Sequence, residues 1–238
     1  FDYAGKTYLH FLDGAEEVIW MSERSGWNSL YLFNASTGDL IRPLTPGEFV
    51  VRGVEEIDED ARTITVRLLG IDADQDPYHV HYARIDLDTG SMTRLTTGDG
   101  THDLTFGPDR TCYIARYSRV DLPPVTELRR TSDGSLVATL ARGDTDELEA
   151  AGWRPPERFV AKGRDGETDI WGIIHYPSTL NEDESYPILE AIYAGPHGHH
   201  VPKTVRVSSG QQRMAELGFV VVQIDGMGTN WRSKAFHD

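Results

Sequence analysis

The sequence feature that most constrains the fold is a hairpin pattern that recurs three times in the first 140 residues. Each copy has a strand-like run, a turn at Thr-Gly or Asp-Gly, and a second run that ends at or beside Leu. The copies are LFNASTGDLIRPLT from Leu32, ARIDLDTGSMTRLT from Ala83 and ELRRTSDGSLVATL from Glu127. Glycine supplies the positive φ that tight hairpin turns need. We therefore predict three β-hairpins, with turn glycines 52 and 44 residues apart.

Two further strand candidates precede each hairpin, separated by polar turns. They are YLHFLDG with EVIWMSE, VVRGVEEID with TITVRLL, and HDLTFG with CYIARYS. Four short strands at a period of roughly 40 to 50 residues are typical of β-propeller blades, each an antiparallel four-stranded sheet. A propeller usually closes with about four to eight blades. Three predicted blades, in a chain that starts at Phe1, lead us to expect a piece of a longer protein.

The pattern changes after Leu140. An acidic and then proline-rich stretch predicts a linker with a helical turn at residues 146–151. A hairpin around Asp165-Gly166, a buried strand in the apolar run from Ile188, a helix over Ser208–Gly218 and a buried strand over Phe219–Asp225 are predicted beyond it. This order is typical of the opening of an α/β domain with a mostly parallel sheet and an antiparallel edge.

The composition excludes some classes of partner. The chain carries 38 acidic and 23 basic residues, and its net charge of −15 would repel phosphate backbones and anionic lipid surfaces. No apolar stretch approaches the roughly 20 residues that a membrane-spanning helix needs. We therefore expect no nucleic-acid partner and no membrane segment in this chain. The single cysteine, Cys112, is predicted to be a small core residue and does not indicate a compartment.

Five segments together resemble the dipeptidyl peptidase IV branch of the prolyl oligopeptidase family of serine peptidases. They are WMSERSGWNSLYLF from Trp20, PPVTELRRTSDG from Pro123, DIWGIIHYP from Asp169, YPILEAIYAGPHG from Tyr186 and VVVQIDGMGT from Val221. The most specific feature is Tyr-Ala-Gly-Pro after one apolar run, followed by Ile-Asp-Gly-x-Gly after the next. The resemblance implies C-terminal propeller blades over residues 1–142, a linker over 143–157, and the N-terminal part of an α/β-hydrolase domain over 158–238.

The resemblance also implies a role for Tyr193 in the oxyanion hole. In this family the tyrosine hydroxyl of the corresponding loop stabilises the negative oxygen of the tetrahedral intermediate. A phenol suits this role because it is neutral at pH 7 and its rigid ring fixes the direction of the O–H bond. The alternative is that Tyr193 is an ordinary aromatic residue at the end of a strand, packed over the sheet.

The implied activity is the release of dipeptides, often with Pro or Ala second, from the amino termini of peptides. No G-x-S-x-G elbow occurs in the sequence, so we expect the Ser/Asp/His triad outside this chain and the chain alone to be inactive. The acidic pair that holds the substrate's amino group would lie upstream. The resemblance further suggests a periplasmic or secreted protein, a possible homodimer, and no cofactor. The alternatives are another peptidase of the same family and a non-catalytic propeller that binds proteins.

Four local features have competing interpretations. The histidines of HGHH, from His197, lack the further ligands that a zinc site requires, so no metal is predicted. DADQDP, from Asp72, imitates a calcium loop but has Pro77 where glycine is needed. We interpret Asp225 as a residue that braces its loop. The aromatic residues Trp20, Trp27, Tyr31 and Trp171 are expected mainly in cores.

Overall fold

The structure, a computed structural model, describes residues 5–193 and 195–238. The first blade is an antiparallel sheet of consecutive strands: β1 (Leu9–Phe11), β2 (Glu17–Ser22), β3 (Ser29–Asn34) and β4 (Leu40–Pro43). The second contains β5 (Val50–Asp58), β6 (Thr63–Leu69), β7 (His81–Asp86) and β8 (Met92–Arg94). The third contains β9 (Thr101–Phe106), β10 (Cys112–Arg119), β11 (Leu122–Arg130) and β12 (Leu136–Arg142).

All three predicted hairpins are confirmed. The turns between β3 and β4, β7 and β8, and β11 and β12 contain Gly38, Gly90 and Gly134, each at a positive φ of 73° to 78°. Within each blade, every strand pairs antiparallel with its neighbour in sequence. This is the topology of propeller blades.

The largest hydrophobic core lies between the first and second blades. Alternate side chains of facing strands meet there, as expected for sheets packed face to face. Its most completely buried members are Ile19, Leu30, Leu44, Val51, Ile64, Val66, Leu68, Ala83, Ile85 and Leu87. A smaller cluster of Tyr82, Leu95, Tyr113 and Ala115 joins the second blade to the third. The blades are therefore held together mainly by apolar contacts between sheets.

The turn at Gly134 packs on the neighbouring blade, which provides a mutational test of that contact. A Cβ on Gly134 would lie 2.5 Å from the Arg94 carbonyl oxygen, whereas a Cβ on Gly38 would meet nothing within 4 Å. Both glycines have positive φ, so alanine costs about 1–2 kcal/mol at either position. We expect Gly134→Ala to destabilise the protein by about 1–3 kcal/mol more than Gly38→Ala, because of the added overlap. Thermal unfolding of the two variants measures this difference. Equal losses of stability would show that the Gly134 turn does not pack tightly against the second blade.

Two buried histidines pack together between the second and third blades. The ring centroids of His81 and His102 lie 4.9 Å apart. His81 contacts the Thr96 hydroxyl and Gln75 side-chain oxygen at 3.2 and 2.9 Å. Burial, reinforced by the charge of Arg94 and only partly offset by Asp72, lowers the pKa of His81 to about 4. Burial and the neighbouring His81 lower the pKa of His102 to about 3.

These low pKa values predict loss of stability in mild acid. In the unfolded chain both imidazoles take up a proton near pH 6.5, whereas in the folded protein they stay neutral until about pH 4 and about pH 3. The unfolded state therefore binds more protons between these limits, and stability falls as pH falls, by at most about 1.4 kcal/mol per pH unit for each histidine. We expect the melting temperature to decrease from pH 7 to pH 5, and His81→Gln to reduce that decrease. An unchanged pH dependence in His81→Gln would contradict the assignment.

A fourth, mixed sheet follows the helix α1 (Asp146–Ala150). Its strands are β13 (Glu157–Lys162), β14 (Asp169–His175), β15 (Ile188–Glu190) and β16 (Val220–Asp225), in the order β13-β14-β16-β15. Only β15 and β16 pair in parallel, and the helix α2 (Gly210–Ala215) connects them. The Ser209 hydroxyl caps α2 by accepting a hydrogen bond from the Gln212 N–H at 3.0 Å. A short helix, α3 (Lys234–His237), follows β16.

The structure corrects two expectations about burial. The predicted buried strand at Ile188 is an edge strand, in which Ile188 is 74% exposed and Ile192, just beyond it, is 69% exposed. A parallel strand is buried only where other elements cover both its faces, and among the described residues these side chains are uncovered. Trp20 on β2 is also exposed, contrary to the expected core position. No helix within residues 5–193 and 195–238 is long and apolar enough to cross a membrane.

Candidate functional site

The candidate site lies where the two parallel strands of the mixed sheet end. Tyr193 comes three residues after β15, and Asp225 is the last residue of β16. Because β15 and β16 are parallel neighbours, their carboxyl ends share one edge of the sheet, the edge at which α/β sheets commonly bind ligands. The loop 195–207, which we call the histidine loop, crosses this edge between Tyr193 and α2.

Tyr193 is oriented by contacts within its own loop. Its hydroxyl oxygen lies 3.3 Å from His197 Nδ1, and its ring centroid is 5.4 Å from that of His200. The side chain is 41% exposed, so the phenol is accessible from solvent. A Cβ on Gly195 would lie only 2.6 Å from the Tyr193 hydroxyl oxygen, which explains why glycine occupies this position. Ala194 lies outside the described residues.

Asp225 braces a loop, as interpreted from the sequence, but the loop that it holds is the histidine loop and not the one that follows β16. Its Oδ1 accepts hydrogen bonds from the backbone N–H groups of His200, at 2.5 Å, and Val201, at 3.1 Å. The side chain is fully buried, with 0% exposure. The neighbouring Gln223 side-chain nitrogen lies 3.2 Å from His200 Nε2. The end of β16 therefore holds both the backbone and one imidazole of the loop.

A buried ion cluster connects this brace to the second blade. Lys203 of the histidine loop places its ammonium 2.8 Å from Asp76 Oδ2 and 3.4 Å from Asp225 Oδ2. The same ammonium lies 4.9 Å from the ring centroid of Tyr78, a cation–π contact. Asp76 and Tyr78 belong to the loop between β6 and β7. The pattern of the sequence did not reveal this cluster, because its members are far apart along the chain.

The cluster keeps Asp76 ionised although it is buried. Burial alone disfavours the carboxylate, but the charges of Lys203 and His79 and the hydrogen bond from Lys203 outweigh it, so the pKa of Asp76 is lowered. A lone buried charge would cost several kcal/mol, and a paired and hydrogen-bonded one much less. Lys203 thus supplies the ammonium that contacts both buried carboxylates.

The loop after β16 supplies a second contact with the blades. Trp231 is 1% exposed and packs with Val50, Leu69 and Tyr78. The Arg52 guanidinium lies 3.7 Å from the centroid of its ring. Trp231 has a φ of 70°, which is rare and costly for a bulky residue. Packing of the indole against the blades offsets this cost, and the sequence carries no signal for it.

The polar side chains of DADQDP and HGHH make contacts within the protein. Asp72 and Asp76 of DADQDP pair with Arg94 and Lys203 respectively. The His199 ring packs against the Tyr78 ring in a tilted arrangement, with a centroid distance of 5.0 Å. Over the described parts of the chain, no group of three or more His, Cys, Asp or Glu side chains is arranged to hold a metal ion.

The three antiparallel sheets place the chain in the class of proteins built from propeller blades. The sequence model of the dipeptidyl peptidase IV N-terminal region matches residues 5–124, half of the chain. The chain belongs to this family.

Two curated relatives and one crystal structure extend the similarity beyond the blades. The chain is 26% identical over 223 residues to a probable dipeptidyl peptidase 4 of Emericella nidulans, covering 91% of this chain and 28% of the relative. It is 25% identical over 241 residues to the dipeptidyl peptidase 4 of Trichophyton equinum, covering 97% and 30%. The crystal structure of Porphyromonas gingivalis dipeptidyl peptidase 4 superposes with a TM-score of 0.76 at 25% identity, covering 96% of this chain and 31% of that one. The chain thus spans about three tenths of the length of these relatives.

Proposed function

We propose that the chain is part of a serine peptidase of the dipeptidyl peptidase IV type, which releases dipeptides, often with Pro or Ala second, from peptide amino termini. The observation that carries the proposal is that similarity to proteins named dipeptidyl peptidase 4 runs over 91% and 97% of the chain. It is therefore not limited to the propeller blades and includes the loop of Tyr193. Peptides are the expected partners, and no cofactor is required.

The chain divides into three parts in such a peptidase. Residues 1–142 form C-terminal blades of the propeller, 143–157 link the domains, and 158–238 begin an α/β-hydrolase domain. The parallel pair β15 and β16, connected through α2, supports the last assignment. The whole protein would supply the nucleophilic serine and its Asp and His, since no G-x-S-x-G elbow occurs in these residues.

Tyr193 is proposed to donate a hydrogen bond in the transition state. When the serine hydroxyl oxygen attacks the scissile carbonyl carbon, the π electrons of the C=O bond move to oxygen and the serine proton passes to the histidine base. The Tyr193 O–H stabilises the resulting oxyanion. Collapse of the intermediate restores the C=O bond and expels the amine, which takes the proton from histidine. The exposed position of the phenol at the carboxyl edge of β15 supports this role.

The activity is tested by steady-state hydrolysis of Ala-Pro and Gly-Pro p-nitroanilides by the purified whole protein. We expect turnover that is abolished by a serine-directed fluorophosphonate, and no turnover by residues 1–238 alone. A whole protein that neither hydrolyses these substrates nor reacts with the fluorophosphonate would instead be a non-catalytic propeller protein. Hydrolysis only of longer or acylated peptides would identify another peptidase of the prolyl oligopeptidase family.

Two properties of the whole protein are also proposed from the family. The first is a periplasmic or secreted location, which fractionation of the source cells tests directly. The second is a homodimer, which light scattering of the purified protein tests.

A further inference from the structure

The buried ion cluster joins two parts of the molecule that have different proposed tasks. Asp76 lies in the second blade, whereas Lys203 and Asp225 lie in the unit that carries Tyr193. The side chain of Lys203 is 5% exposed, that of Asp76 9% and that of Asp225 0%. Two carboxylates share the ammonium of Lys203. Lys203 is therefore the group through which the two carboxylates are linked.

A series of contacts connects the buried ion cluster to Tyr193. Asp225 Oδ2 faces Lys203, while Oδ1 of the same carboxylate accepts the backbone N–H groups of His200 and Val201. The His200 ring packs against the Tyr193 ring at a centroid distance of 5.4 Å. A displacement of Lys203 would thus move the Asp225 carboxylate and the loop backbone that it holds. It would also move the His200 ring that packs against Tyr193.

We propose that Asp76, a propeller residue, positions the Tyr193 phenol through Lys203 and Asp225. The inference rests on the proposed function of Tyr193 and adds a positioning residue from the propeller to it. A hydrogen-bond donor stabilises the oxyanion best when its direction is fixed before the reaction. The loop residues that orient Tyr193 are themselves held from outside the loop by Asp225. The propeller thus contributes to the rate of the chemical step and not only to substrate entry.

A double-mutant cycle in the whole protein tests the inference. We expect Asp76→Asn to lower kcat about 10- to 100-fold with little change in KM, as a small misplacement of a catalytic group would. In a Tyr193→Phe background the same substitution should change kcat by no more than about twofold, because the hydroxyl that it positions is already absent. The matched control is Asp121→Asn. It removes the charge that pairs with Arg158 of β13 at 3.0 Å and with Arg119 of the third blade at 2.7 Å, and it should leave kcat unchanged.

The outcomes separate this inference from the proposed function. If Tyr193→Phe lowers kcat but Asp76→Asn lowers it equally in both backgrounds, or not at all, the positioning role is overturned and the oxyanion role stands. If Tyr193→Phe leaves kcat unchanged, both are overturned. Should Asp76→Asn fail to fold, Lys203→Gln replaces it in the same cycle, with the same expected coupling to Tyr193: a lower kcat in the native background and little further change after Tyr193→Phe. Melting temperatures of all variants, measured alongside, identify any effect that comes from unfolding.

Discussion

Tyr193→Phe should reduce kcat and kcat/KM of the whole protein by about 10²- to 10³-fold, with little change in substrate binding. The substitution removes one hydroxyl and keeps the ring, so the contact with the His200 ring at 5.4 Å is preserved. The lost rate corresponds to about 2.7–4 kcal/mol of transition-state stabilisation. Because the side chain is 41% exposed, removal of the hydroxyl should hardly change the melting temperature.

Rate and stability together distinguish the two interpretations of Tyr193. An aromatic residue with only a packing role would show near-normal kcat in Tyr193→Phe and a lower melting temperature in Tyr193→Ala. Gly195→Ala is a useful companion, because its Cβ would lie 2.6 Å from the Tyr193 hydroxyl oxygen and displace the phenol. We expect Gly195→Ala to lower kcat in the native background and to have much less effect after Tyr193→Phe.

Asp225→Ala should destabilise the protein by about 2–6 kcal/mol, mainly because two backbone N–H groups lose their acceptor. The substitution leaves the N–H groups of His200 and Val201 without their acceptor, and it leaves Lys203 with Asp76 alone. Unsatisfied buried groups of this kind cost about 1–3 kcal/mol each. Activity should fall as well, since the same carboxylate holds the loop that follows Tyr193.

Two comparison variants separate the contributions at Asp225. Asp225→Asn keeps an oxygen that can accept from the loop backbone but removes the charge that faces Lys203, so its effect should be smaller than that of Asp225→Ala. Asp169→Asn removes the ion pair with Lys162 at the start of β14, in which the two side chains are 47% and 58% exposed. Exposed pairs of this kind contribute at most about 1 kcal/mol. Equal melting temperatures for Asp225→Ala and Asp169→Asn would show that Asp225 does not brace the loop.

Features determined by neighbouring residues could be predicted from the sequence. Gly90 adopts a φ of 75° in the turn that ARIDLDTG indicates, and the Asp86 carboxylate stabilises that turn by accepting the Thr89 N–H at 2.7 Å. Each of these interactions spans only a few residues, so the local pattern contains it. The same applies to Ser209, which caps α2 one position inside the predicted helix. The pairing of the blade strands follows from such turns.

Features determined by distant residues could not be predicted in the same way. Lys203 and Asp76 are 127 residues apart, and nothing in either local sequence indicates the other. The apolar run at Ile188 indicated a buried strand, but burial depends on which elements cover the sheet, and Ile188 is 74% exposed. Tyr193 could be singled out through a family resemblance, whereas the residues that support it became visible only in three dimensions.

The measurement that tests the proposed function most directly is mass spectrometry of the products formed by the purified whole protein from one peptide with Pro at its second position. The peptide is supplied with a free amino terminus and, in parallel, with an acetylated one. We predict stepwise release of the amino-terminal dipeptide from the free peptide and no cleavage of the acetylated peptide. Internal cleavage of both peptides, or cleavage of neither, would contradict the assignment of a dipeptidyl peptidase activity to the protein that contains this chain.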